Sequence, residues 1–159
     1  MSDLNISPGG VSGSAQPTPP GSVAWAVADV DPFDGTPISV DPGDPVTPDP
    51  GDSGVIYLAR NDNTHDAAAN VLGFARSAGE SPGRAMVFYG PGPLTLPTTR
   101  WDALTGGSGG LTPGSVYYLG ATKGSITATP PGAGISTALG FAISATTLMV
   151  QIGNATPLA

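Results

Sequence analysis

The chain has no cysteine, so neither a disulfide framework nor a thiolate-ligated metal site can hold it together. Stability must come from packing or from association between chains. Charge is scarce as well, at 11% of the 159 residues, well under the usual quarter. A charge-extended disordered chain needs more. No run approaches the ~20 apolar residues of a membrane span. The start, Met1-Ser2-Asp3-Leu4, has neither a basic segment nor an apolar one, so no secretory signal is expected. His65 is the single histidine, and every His-dependent triad or metal site must use it. Carboxylates between residues 54 and 159 are confined to Asp62, Asp66, Glu80 and Asp102, too few for a convincing glycosidase pair. Gly106–Gly110 is glycine-rich but lacks the Lys-Ser/Thr of a phosphate loop, and no helix signal follows it. No catalytic, cofactor-binding or metal-ligating constellation stands out, and the chain is not expected to be an enzyme.

What is present is unevenly placed. Residues 1–53 hold eight aspartates (Asp3, Asp29, Asp31, Asp34, Asp41, Asp44, Asp49, Asp52) and no Lys or Arg. The remainder sets its four carboxylates against Arg60, Arg76, Arg84, Arg100 and Lys123, a balance of +1. The net −7 therefore belongs to the first third. Nucleic acid is not expected as a partner, because phosphate binding needs a basic footprint. That first third also carries ten of the eighteen prolines, and Pro fixes φ and removes an amide donor. Residues 1–53 are predicted to be an extended acidic Pro/Gly-rich arm. Asp41-Pro42-Gly43-Asp44 and its repeat Asp49-Pro50-Gly51-Asp52 are read as turns in a stiff connector in preference to Ca²⁺ ligands.

One arm segment differs. In Val23-Ala24-Trp25-Ala26-Val27 the larger side chains alternate with alanine, and Phe33 follows closely. Such a segment either adds a strand to a neighbour's sheet edge or folds back onto its own domain. Under the first alternative Val23, Trp25, Val27 and Phe33 are the partner-binding anchors.

Residues 54–159 show short apolar runs between Gly/Pro stops. The runs predict strands over 55–60, 71–77, 85–89, 116–120, 125–128, 138–144 and 147–152. A single helical turn, N-capped by Thr64, fits residues 64–70; Pro and Gly leave little room for another helix. Asn61-Asp62-Asn63-Thr64-His65-Asp66 reads as a turn and less well as a metal or acid–base pair. Trp101, Tyr117 and Tyr118 read mainly as core or subunit-interface residues, with a sugar-stacking surface as the alternative.

There is also an internal echo. Val55-Ile56-Tyr57-Leu58, Leu72-Gly73-Phe74-Ala75 and Met86-Val87 recur in order as Val116-Tyr117-Tyr118-Leu119, Leu139-Gly140-Phe141-Ala142 and Met149-Val150. Two duplicated units, 55–90 and 116–153, predict two similar β layers around a shared core. The fold expected is all-β, an antiparallel β-sandwich or barrel with Phe74 and Phe141 both buried. Gly73 and Gly140 are expected at bulges or close backbone approaches.

Gly110-Leu111-Thr112-Pro113-Gly114-Ser115-Val116-Tyr117-Tyr118-Leu119, followed by Leu139-Gly140-Phe141-Ala142-Ile143-Ser144-Ala145-Thr146-Thr147-Leu148-Met149-Val150, resembles a module of tailed-bacteriophage structural proteins. That module occurs in capsid decoration (cement) proteins, head fibres and tail-fibre tips. The resemblance covers about 50 residues and, through the duplication, about 100; the arm shares no part of it. It implies a β-rich fold, trimeric assembly and no catalytic residues. The function it implies is a decoration protein on the outer capsid surface of the virion, bound to the major capsid protein and stabilising the head. A head-fibre or tail-fibre adhesin that binds host glycan is the alternative, and a virion-associated hydrolase a weaker third. Neither a membrane nor a cofactor is expected.

Overall fold

The structure is a computed structural model that describes residues 21–62 and 65–158. It is β-rich, with one α-helix. The first strands in chain order are β1 (Ser22–Val27), β2 (Ser39–Val40), β3 (Pro45–Pro48), β4 (Val55–Leu58), β5 (Gly73–Ala75), β6 (Gly79–Glu80) and β7 (Arg84–Phe88). Five of these close into a barrel in the order β1-β4-β3-β5-β7. The β1–β4 contact is parallel, and the other pairings are antiparallel. The core cluster at the barrel is built largely from small side chains, Val27, Val40, Val46, Ile56, Ala75, Ala85 and Val87, together with Tyr57.

The chain then leaves the barrel through β8 (Gly92–Thr95) and the helix α1 (Thr98–Thr105). It continues in β9 (Val116–Leu119), β10 (Ile126–Thr127), β11 (Ile135–Ser136), β12 (Ala138–Ala142), β13 (Thr147–Val150) and β14 (Thr156–Pro157). A second, antiparallel sheet runs β10-β9-β12-β13-β8, and β11–β14 and β2–β6 are small pairs beside the main sheets. The inner face of the second sheet (Leu94, Leu119, Leu139, Leu148, Val150) packs with Trp101 and Leu104 of α1 against Phe74 and Phe88 on the outside of the barrel wall. Strand β5 is therefore buried on both faces.

The strands expected over residues 54–159 all form, most a little shorter than their apolar runs and β7 shifted by one residue. Three expectations need correction. First, residues 21–53 are not an extended arm. They supply β1 and β3 to the barrel and β2 to its flank, because β4, β5 and β7 offer backbone partners that even a Pro-bounded strand can use at its ends. The arm positions 1–20 lie outside the described residues. Second, a helix does form at 98–105, where Trp101 and Leu104 bury one face and Gly106 takes the C-cap. The short turn near 65 is a 3₁₀ segment, Asp66–Ala69, whose N-cap position is His65; Thr64 lies outside the described residues. Third, Phe141 is 40% exposed while Phe74 is fully buried. The second sheet keeps one open face, and the barrel wall at β5 does not.

The two glycines behave as expected. A Cβ on Gly73 would stand 2.5 Å from the Phe88 carbonyl oxygen. Gly140 has φ +150°, and the register shifts between Ala138 and Gly140. The matched segments of the two units become β4, β5 and β7 in the barrel and β9, β12 and β13 in the second sheet. In both, the last two pair antiparallel; β3 separates β4 from β5, whereas β9 pairs β12 directly.

Candidate partner-binding surface

Strand β1 pairs with β7 along one edge over Ser22–Ala26, and with β4 along the other at Ala26 and Val27. The segment therefore folds back onto its own domain. Val27 is buried in the barrel. Trp25 is half-buried and donates its indole N–H to the Tyr89 hydroxyl at 2.5 Å. Phe33 rides on the strap 28–38 beside β4, edge-on to the Tyr57 ring at 5.7 Å and tilted against the His65 ring at 4.2 Å. Of the four anchors, Val23 alone remains broadly exposed, at 49%.

The charge imbalance read from the sequence resolves inside the molecule. Asp31 is buried, and its carboxylate lies 2.6 Å from Arg60 Nη1 and 3.1 Å from Lys123 Nζ. Arg60 also binds Asp62 through Nε, and Lys123 bridges to Asp34 at 2.5 Å. The Phe33 amide donates to the other Asp31 oxygen at 2.9 Å. Burial, which raises the pKa, is the largest single influence on Asp31. The Phe33 amide, Lys123 and Arg60 together outweigh it and hold the carboxyl below its usual range. Asp34 is likewise held down, by Lys123 first and then by Thr36. Burial alone would lower the Arg60 pKa, yet hydrogen bonding to Asp62 and the charge of Asp31 keep it raised.

A second junction joins the barrel to α1. Asp44 is buried, is ion-paired with Arg100 and accepts the Asp41 amide at 2.8 Å. Arg100 Nε also donates to the Pro42 carbonyl at 2.5 Å. Here burial prevails and pushes Asp44 up to about 6, against the pull of the Asp41 amide and Arg100. Asp31, Asp34 and Asp44 of the first third thus clamp Arg60, Arg100 and Lys123 of the remainder. The uneven charge read from the sequence is the signal that could have revealed this lock.

The lock leaves a divided surface. On the barrel, Asp29 and Asp52 rim a hollow of about 300 Å³ floored by Val27, Val55 and Pro82. On the other side, Lys123 is the single charged side chain from Ala103 onward, and it is already paired. A groove of about 610 Å³ between the end of α1 and the β9–β10 turn is lined by Thr105, Thr122, Ser125 and Thr127, with no titratable group. The aromatic trio does not make a stacking surface. Trp101 is fully buried and donates to the Thr146 carbonyl at 2.9 Å, and Tyr117 is buried with its hydroxyl accepting the Thr112 amide. Tyr118 is half-buried. Asp62 Oδ1 accepts the His65 amide at 2.7 Å, and the imidazole also lies 3.1 Å from that carboxylate. Among the described residues, no group of three or more His, Asp or Glu side chains is placed to hold a metal.

No protein family, curated protein or solved structure matches the chain.

Proposed function

We propose that the chain is a structural virion protein. It decorates the outer face of a tailed-phage head, binds the major capsid protein there and stabilises the shell, working as a homotrimer and not as an enzyme. The observation that carries this reading is the division of the surface. An acidic lobe, with Val23 and the Asp29/Asp52 hollow, suits a protein partner that presents basic side chains. An uncharged lobe built from the stretch that resembles phage virion modules suits contacts between copies. The acidity disfavours nucleic acid and anionic membrane as partners.

The adhesin alternative needs an exposed aromatic platform, and burial of Trp101 and Tyr117 removes most of the one the sequence offered. The two units are taken as a diverged duplication, one copy opened by β3 and closed into a barrel, the other left as an open sheet.

Shell stabilisation follows from mass action, since a ligand that binds only the assembled lattice favours it. Several weak contacts per trimer raise avidity by making the later ones intramolecular. Co-sedimentation with heads stripped of decoration tests the reading. Saturable binding that weakens with added salt is the expected outcome. Absence of the protein from the pelleted heads overturns it.

A further inference from the structure

The outer face of the second sheet carries a continuous apolar row. Val116 lies opposite Phe141, Phe141 opposite Met149, and Met149 opposite Pro93, so one side chain from each of four adjacent strands lines up across the sheet. Val116 is 43% exposed, Phe141 40%, and neighbouring Ile143 49%. These are three of the five large hydrophobic side chains exposed among the described residues. Beside Phe141 opens a hollow of about 350 Å³ lined by Val116, Ala138, Gly140, Gln151, Ile152 and Gly153. At Gly140, one of its lining residues, the φ of +150° and the Met149 carbonyl oxygen, 2.1 Å from where a Cβ would stand, exclude any side chain.

We infer that this face seats a second copy of the same chain, with Phe141 of one copy entering the hollow beside Phe141 of the next. The inference deepens the self-association proposed above and does not depend on the virion reading. Two features identify the occupant. Knob and hollow adjoin on one face, so a single patch of each copy can supply both halves of the contact. The face and the lobe behind it also bring no free charge to the contact. For a chain of net −7 this is the side on which two copies approach without carboxylate meeting carboxylate. A basic partner gains nothing here and is better served by the acidic lobe.

The test is the mass of the full-length protein in solution, by light scattering across a concentration series. The wild type is expected to be a closed oligomer whose association is insensitive to salt. Phe141→Asp is expected to weaken association at least thirtyfold, the scale of a buried aromatic anchor. Val116→Lys serves as an independent variant should the first fail to fold, as judged by circular dichroism. A monomeric wild type overturns the inference, and so does an oligomer that persists unchanged in a folded variant. A dimer that dissociates in the variants supports the face and corrects the expected count of three. Loss of association in a folded variant supports the face whether or not the wild type binds heads, so this inference and the decoration reading fail separately.

Discussion

Asp31 is the residue on which the two parts of the chain are pinned. It is buried between Arg60 and Lys123, and removing one partner leaves a carboxylate that is costly to keep out of water. Arg60→Ala is expected to destabilise the protein by about 3 kcal/mol, since Lys123 stays in place. That corresponds to a fall in Tm on the order of 10 °C. Pairing it with Asp31→Asn should recover part of the loss, which a double-mutant thermal series would read.

Asp31 and Asp44 also set opposite pH dependences. Asp31 titrates below its unfolded value, so its contribution is present near neutrality and is lost as pH falls below about 4. Asp44 titrates at about 6 in the folded state, above its unfolded 3.8, so the folded protein holds the extra proton between them. Stability attributable to Asp44 therefore rises as pH falls from about 6 towards 4. A Tm profile should climb from pH 7 to about 5 and drop below about 4. Asp44→Asn should flatten the climb and leave the acid drop.

At the scale of elements, seven strands of residues 54–159 were legible because each is a short apolar run between Gly/Pro stops; β6, β8, β11 and β14 were not expected. What escaped was structure owed to neighbours. Pro45–Pro48 reads as connector, yet it forms a barrel strand because Tyr57, Leu58 and Phe74 stand opposite it. Thr98–Thr105 begins with two weak helix formers, and packing of Trp101 and Leu104 holds it. Phe74 and Phe141 occupy matching places in the repeat, but only the first lies on a wall with cover on both sides. Of the four anchors, the alternation at Val23, Trp25 and Val27 did mark a strand. It could not tell that the strand is built into the chain's own barrel. Deleting residues 1–53 removes β1, β2 and β3, so the remainder should show no cooperative unfolding transition by circular dichroism. A cooperative transition in that fragment would mean that the barrel closes without them.

At the scale of the molecule, an acidic lobe and an uncharged lobe give one small chain two kinds of contact. Under the proposed reading, copies meet through the open sheet face and the barrel side is left for the shell. Salt should act on the second contact and spare the first, because only the second involves charge. Attachment through Val23 and the Asp29/Asp52 hollow adds a point test. Val23→Asp should reduce occupancy on heads without changing the oligomer in solution, as read by sedimentation and light scattering on the same preparation. The central claim is decoration, and decoration is a matter of number. Quantitative mass spectrometry of purified particles gives the copies of this chain per major capsid protein. Hundreds of copies per particle are expected; a dozen or fewer would place the chain in a fibre or tail and contradict the account.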